Sequence, residues 1–302
     1  MSARGGGDAD GGPIGLVVVD KEPGWTSHDV VARCRRLFGQ RRVGHAGTLD
    51  PDATGILLVG IGRVTRTLRF LTALGKQYEG EVVLGTATST LDASGEVTGT
   101  WDMDGVTLAD VRRAAVAFTG DIEQVPPMVS AVQIGGRRLH ELARAGVEVD
   151  RPARPVTVTR FDVLGPGDAP GSFRVVVECS SGTYIRVLAA DVGAALGGGA
   201  HLRHLRRTRV GSFSVADARR LEELTPAHIL TPVQALRDMT QVEVDDDTAR
   251  QVSHGLALDK VALGAAGAGP WALVDRRGQL LAVYEGTDSD RMVAACVLVA
   301  SG

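Results

Sequence analysis

The sequence predicts an α+β protein: a mixed, mostly antiparallel central sheet with flanking helices, followed by a small β-rich C-terminal domain. Three observations carry this. Short apolar runs of strand length, such as Ile14 to Val19 and Ile56 to Val59, alternate with stretches whose apolar residues recur at helical spacing, such as Val30, Val31, Cys34, Leu37 and Phe38. Val156 to Val163 and Phe173 to Cys179 alternate in the strand manner and are joined by a Gly/Pro/Asp turn, as in a long antiparallel pair. Beyond Thr225-Pro226 and Thr231-Pro232 the composition turns acidic, and one helical stretch is followed by three short strand patterns. At 302 residues, 44% hydrophobic and 23% charged, the chain can bury a large domain plus a small one. The expected division is a tail over 1–12, a main domain over 13–239 and a small domain over 240–302.

In chain order, Ile14 to Val19 forms a strand ending at Asp20-Lys21. Thr26 or Ser27 then caps a helix with Asp29 in its first turn. Glycine and proline punctuation makes Gly44 to Gly55 an ordered loop, followed by the strand Ile56 to Val59. Thr65 to Leu74 reads as a helix, Lys76-Gln77-Tyr78 enters a strand that continues over Glu81 to Leu84, and Thr86 to Thr90 reads as a loop. Thr107 with Asp110 three residues on starts a helix running to Phe118. Val129 to Ile134 reads as a strand, followed by a short basic helix with Arg137, Arg138, His140 and Arg144. Thr183 to Leu196 is helical, with Tyr184 and Arg186 in its first turn, and ends at Gly197-Gly198-Gly199. His201 to Val210 is a strand. Asp245 to His254 is a helix, with strands near Trp271 to Val274, Leu280 to Tyr284 and Val293 to Val299.

The net charge of −3 is unevenly spread. Residues 31–70 hold eight arginines (33, 35, 36, 41, 42, 63, 66 and 69) against Asp50 and Asp52, and 201–211 hold Arg203, Arg206, Arg207 and Arg209 with no acid. Residues 217–302 carry thirteen acids against eight bases. Such asymmetry fits a phosphate-tracking surface on one part of the chain, and equally a solvated basic face. Three cysteines, Cys34, Cys179 and Cys296, lie far apart with no C-x-x-C spacing. They support neither a disulfide framework nor a zinc site and read as small buried hydrophobes. The seven histidines are scattered, and His201 and His204 have arginine neighbours, so no metal site is expected. Phosphate-loop and dinucleotide fingerprints are absent. No apolar run approaches the roughly 20 residues of a membrane span and no signal peptide is legible, so a cytoplasmic location is expected.

The chemistry points to Gly44-His45-Ala46-Gly47-Thr48-Leu49-Asp50-Pro51, continued by Asp52-Ala53-Thr54-Gly55. It fixes one carboxylate ahead of a proline, which restricts the backbone of Asp50. Taken alone, such an Asp reads equally as a solvated surface turn. This string resembles the G-H-x-G-x-L-D-P-x-A-T-G signature of the bacterial tRNA pseudouridine-55 synthases, the TruB family, whose nucleophilic aspartate falls at Asp50. Four more stretches resemble that family in order: Asp20-Lys21 through Thr26-Ser27-His28-Asp29, Lys76-Gln77-Tyr78, Gln124-Val125-Pro126-Pro127 through Ser130-Ala131, and Ser180-Ser181-Gly182-Thr183-Tyr184-Ile185-Arg186. The sequence departs at Lys21-Glu22-Pro23-Gly24, where the family has the proline directly after the lysine.

The resemblance implies the pseudouridine-synthase fold, a PUA-like C-terminal domain, an RNA-gripping insertion about 124–152, and conversion of a T-loop uridine of tRNA to pseudouridine. Catalytic roles would fall on Asp50, Arg186 and Tyr78, with Arg186 the partner that keeps Asp50 ionised. Substrate contacts would come from His45, Tyr78, Tyr184, Leu205 and Lys21. The implied partner is the T-arm stem-loop of tRNA, with no membrane, no metal and a monomeric enzyme. The reaction cleaves the N1 to C1′ bond, turns the uracil and joins C5 to C1′ without net redox or hydrolysis, so it calls for no cofactor. The stacked uridine must be flipped out of the loop to be reached.

Overall fold

Capping boxes set the helix starts where the spacing puts them. Thr26 caps α1 (Ser27–Phe38) and accepts from the backbone of Asp29, whose carboxylate returns to the Thr26 N–H. Thr107 and Asp110 repeat the device at α3 (Leu108–Val116). The computed structural model describes residues 12–128, 130, 133–134, 137–138, 147 and 149–299.

The first elements are β1 (Gly15–Lys21), α1, β2 (Val43–Ala46), β3 (Thr54–Ile61) and a 3-10 turn, Gly62–Thr67, leading into α2 (Leu68–Ala73). There follow β4 (Lys76–Leu84), β5 (Thr86–Thr88), β6 (Val97–Thr100), α3, β7 (Gly120–Gln124), β8 (Gln133–Ile134), β9 (Arg137–Arg138), β10 (Arg154–Pro166), β11 (Ser172–Cys179), α4 (Ile185–Ala195) and β12 (Ala200–Val210). The chain ends with β13 (Phe213–Ser214), α5 (Pro232–Ala235), β14 (Thr240–Val244), α6 (Asp246–Ser253), β15 (Leu258–Asp259), β16 (Trp271–Asp275), β17 (Leu280–Gly286) and β18 (Arg291–Val297). The α+β class holds. Two compact units divide the chain: Met1–Pro51, Gly55–Thr72 and Gly211–Gly302 form the first, and Asp52–Thr54 with Ala73–Val210 the second.

In the first unit β3 pairs antiparallel with β1 and with β2. Gly44, His45 and Ala46 are therefore strand, not the loop their glycine content suggests. Gly44 lies opposite Gly60, and a Cβ on either would stand within about 3 Å of the Leu68 side chain, at 3.0 Å and 2.9 Å. Glycine here makes room for a packed leucine rather than for a turn. The expected helix over 65–74 begins late, at Leu68, because a 3-10 turn precedes it. Leu37 is exposed at 37%, unlike Val30, Val31, Cys34 and Phe38, which face the core. The C-terminal strands run in the order β14-β16-β17-β18-β15, with β14 parallel to β16 and the other pairs antiparallel, around Trp271, Leu273 and Tyr284.

The second unit is an antiparallel run β12-β4-β11-β10-β7, one face covered by α3 and α4 over Val82, Val158, Val175, Val177, Leu188 and Leu202. Thr86–Thr88, read as loop, pairs with Val97–Thr100 as a small ribbon. Arg137 and Arg138 lie in a strand paired to Gln133–Ile134 rather than in a helix. The rest of that expected helix, with His140 and Arg144, and half of the strand over 129–134 lie outside the described residues. Cys34 and Cys179 are buried, and that burial pushes each thiol up to about 11, as small core hydrophobes require. Among the described residues no helix is long and apolar enough to cross a membrane.

Candidate active site

The first unit holds the Asp50 loop by its neighbours. Ser27 Oγ, in the first turn of α1, accepts from the Leu49 N–H at 2.9 Å and donates to the Leu49 carbonyl at 3.2 Å. Pro51 is fixed on the other side: its carbonyl accepts from Lys21 Nζ at 2.8 Å and from the Gly24 N–H at 3.0 Å. Gly24 can donate there because the turn Lys21-Glu22-Pro23-Gly24 closes with Gly24 at φ +82°. Leu49 itself is buried, so the half-buried Asp50 stands between two pinned residues. A side chain so flanked is aimed before substrate arrives.

Lys21 is fully buried, and its ammonium also donates to the carbonyls of Trp25 at 2.8 Å and Glu22 at 3.0 Å. A buried lysine with carbonyl acceptors braces a loop from below. His45, on β2, is half-buried, and its ring meets that of His28 edge-on, with centroids 5.4 Å apart and planes at 79°. The sequence named Lys21, His45 and Asp50 but missed two residues that pin the Asp50 loop: Ser27 and Gly24. Both stand in the matched stretch that begins at Asp20, and a serine directly after the helix cap was the available signal.

The second unit carries Tyr78, Tyr184, Arg186 and Leu205. Tyr78, on β4, faces Val177 on one side and Arg207 on the other, and it packs with Leu205 against the same core. β12 bulges here: Arg203 pairs with Glu81 and Arg206 with Glu79, so His204 and Leu205 together oppose Gly80 alone. His204 takes the left-handed conformation this needs, with φ +54°. A bulge re-aims a side chain within a strand, and here the residue re-aimed is Leu205.

Tyr184 is the N-cap of α4 rather than a first-turn residue. Its side chain does no capping. Gln124 grips its backbone instead, accepting from the Tyr184 N–H at 2.9 Å and donating to its carbonyl at 3.2 Å. Arg186 is 5% exposed, and its Nη1 donates to Asp92 Oδ2 at 3.2 Å and to the Thr90 carbonyl at 3.1 Å. The opposite oxygen of Asp92 is held by Thr90 Oγ1 at 2.6 Å and by the Ser94 N–H at 3.1 Å. A first-turn cation does have an anion to meet it, and Asp92 both closes its turn and pairs with Arg186.

Burial also encloses two cations near Tyr78. Arg207 is 1% exposed, and Lys76, whose Nζ donates to the Leu74 carbonyl at 2.6 Å, is pushed from 10.5 to about 8, first by burial and then by Arg207. The unfolded lysine therefore holds its proton more tightly than the folded one. Below pH 8 the full cost of the buried charge is present, and it is relieved as pH rises from 8 to about 10.5. Lys76→Met should accordingly stabilise the protein most at pH 7, by about 3 kcal/mol, with the gain shrinking toward pH 10.5. Urea midpoints of both proteins across that range check this, and a gain independent of pH would refute it.

The second arginine cluster is not bare, because neighbouring strands bring the acids its own strand lacks. Arg203 pairs with Glu81 at 3.3 Å and Arg209 with Glu178 at 2.9 Å. In the first cluster Arg63 and Arg66 donate to the carbonyls of Leu298 and Val297, each at 2.8 Å, and Arg69 pairs with Glu285 at 3.0 Å. These three are tied to C-terminal strands rather than offered to a polyanion. Among the described residues, Glu81, Asp168 and His204 could bring three ligand atoms within 4.8 Å of one another. Arg203 already stands at 3.3 Å from Glu81 as its counter-charge, and a metal would be repelled by it.

Residues 35–185 match the TruB family pseudouridylate synthase N-terminal domain, and residues 186–242 match the tRNA pseudouridylate synthase B C-terminal domain. A tRNA pseudouridine synthase B of Nocardia farcinica is 48% identical over 276 residues, covering 90% of this chain and 89% of its own. Another, of Mycobacteroides abscessus, is 53% identical over 220 residues, covering 72% and 74%. Among solved structures, a chain of a Cbf5-Nop10-Gar1 complex superposes with a TM-score of 0.73 at 24% identity, covering 100% of this chain and 92% of that one, which speaks to the fold alone. With these matches spanning most of its length, the chain belongs to the TruB family of pseudouridine synthases.

Proposed function

We propose that this chain is a tRNA pseudouridine synthase that isomerises a T-loop uridine, with Asp50 as nucleophile. The observation that carries the reading is the clamp around Asp50. Ser27 holds Leu49, and Lys21 with Gly24 holds Pro51, in a string that a family of uridine isomerases shares. A carboxylate held this firmly can attack a reacting carbon without first being ordered.

The target uridine leaves its stack and enters the site. Tyr78 stacks on the uracil, with Tyr184 and Leu205 walling the pocket and His45 supporting the rearranged RNA loop. Arg186, positioned by Asp92, keeps Asp50 anionic. Lys21 acts through the loop it braces. Asp50 bonds to a reacting carbon, the N1 to C1′ bond breaks, the uracil turns within the pocket, C5 bonds to C1′ and the bond to Asp50 is released, while C5 loses a proton and N1 gains one. Atoms and electrons balance within the nucleotide, and no cofactor enters. The T-arm stem-loop of tRNA is the substrate, the enzyme acts as a cytoplasmic monomer, residues 13–239 form the catalytic domain, and 240–302 form a small PUA-like domain.

Mapping pseudouridine nucleotide by nucleotide in an unmodified tRNA transcript tests this. Pseudouridine at the T-loop uridine is expected. Its appearance only elsewhere in RNA would make the chain a synthase of another specificity. RNA binding without turnover would replace the reading with that of a folding or binding module.

A further inference from the structure

Most exposed arginines have a fixed acceptor. Arg113 pairs with Asp110, Arg160 with Asp162, Arg220 with Glu22, Arg237 with Asp217, and Arg250 with Asp247. Of the eight arginines in 31–70, Arg35 donates to the Val43 carbonyl at 3.1 Å, Arg63, Arg66 and Arg69 are tied to C-terminal strands, and Arg42 has a partner as well. Arg33, Arg36 and Arg41 remain. All three are exposed, and among the described residues they make no hydrogen bond or ion pair. Arg33 and Arg36 stand one turn apart on α1, and Arg41 follows two residues past its Gly39 cap. Three unneutralised guanidinium groups within nine residues repel one another, and a chain of net charge −3 has acids to spare for pairing elsewhere.

The helix that carries them is the one whose first turn pins Leu49. Its rise of about 1.5 Å per residue puts Arg33 and Arg36 roughly 9 and 14 Å along the axis from Ser27. From these facts, and resting on the reading of the substrate as tRNA, we propose that the C-terminal half of α1 and the segment after it form a second RNA-binding subsite. Here Arg33, Arg36 and Arg41 grip backbone phosphates of the same tRNA whose uridine reaches Asp50. Guanidinium groups suit phosphate oxygens in bidentate geometry, and the absence of prior partners lets them bind without breaking an ion pair. The partial negative charge at the helix C-terminus is answered within the protein, since Gly39 and Gln40 both donate to the Arg35 carbonyl.

The test is direct binding of a full-length tRNA transcript across a salt series. Native protein is compared with the triple variant Arg33→Gln, Arg36→Gln, Arg41→Gln, with the corresponding triple lysine variant, and with Arg276→Gln, Arg277→Gln as a control on an exposed turn of the acidic C-terminal part. Every phosphate that goes unneutralised in a variant should lower the slope of log K against log salt by about 0.7 to 0.9. The glutamine triple is expected to lower it by about 2 and to bind roughly tenfold more weakly near 0.15 M salt, while the lysine triple keeps most of the slope and the control all of it. An unchanged slope in the glutamine triple, or an equal fall in the control, would overturn the subsite. Failure of the functional reading is seen separately, as native protein that binds tRNA and makes no pseudouridine.

Discussion

Asp50→Asn should abolish pseudouridine formation, by roughly 10⁴-fold or more, while tRNA affinity stays within a few-fold of the native value. The amide is nearly isosteric with the carboxylate but is neither a nucleophile nor a base. The loop should keep its place, because its fixtures lie on either side of residue 50: Ser27 on Leu49, and Lys21 and Gly24 on Pro51. Single-turnover assays with enzyme in excess, on a transcript mapped by nucleotide, separate chemistry from binding. Turnover retained by the variant would remove Asp50 from the mechanism. Loss of binding along with turnover would mean that the carboxylate organises the RNA surface rather than the reaction.

Arg186 and its counter-charges give the second large effect. The guanidinium is 5% exposed and bonded to Asp92, and the proposed mechanism has it serve Asp50 as well. Two carboxylates sharing one buried cation are expected to couple strongly. If Arg186 serves Asp50 as proposed, Asp92→Asn alone keeps it one carboxylate, so stability should fall only modestly while turnover drops some 10- to 100-fold through loss of positioning. The double variant Asp50→Asn, Asp92→Asn strands the cation, which costs about 3 to 5 kcal/mol beyond the sum of the single changes. Urea denaturation of the four proteins in the cycle measures that coupling. Additive effects would mean that Asp50 is not the partner of Arg186. A fall in turnover for Asp92→Asn is also expected where folding is intact, since the carboxylate sets the guanidinium from outside the reacting atoms.

Elements governed by local rules were legible in the sequence. The capping boxes at Thr26 and Thr107 fixed two helix starts, because a side chain reaching three residues ahead is a property of the local chain. The alternation of Phe173 to Cys179 gave its strand for the same reason. Where the reading failed, a distant residue had decided. Gly44 looked like a turn and is strand, since Leu68 packs over the Gly44 and Gly60 pair. The arginines of β12 looked unneutralised because Glu81 and Glu178 lie on other strands.

The site divides in the same way. The identity of the chemistry lay in the order of short strings around Asp50, Tyr78 and Arg186, since reactive side chains must be of particular types in a particular loop. The means of holding them did not. Ser27 clamps a residue 22 positions away, Gln124 grips Tyr184 across 60, and Asp92 meets Arg186 across 94. Residue types and local spacing determined the α+β class, and the resemblance of short strings to a family signature implied the family and the candidate nucleophile. Only the tertiary structure decided which hydrogen bonds fix that nucleophile's loop, which arginines are neutralised and which remain open, because those depend on atoms that sequence separation keeps apart and folding brings within 3 Å or so.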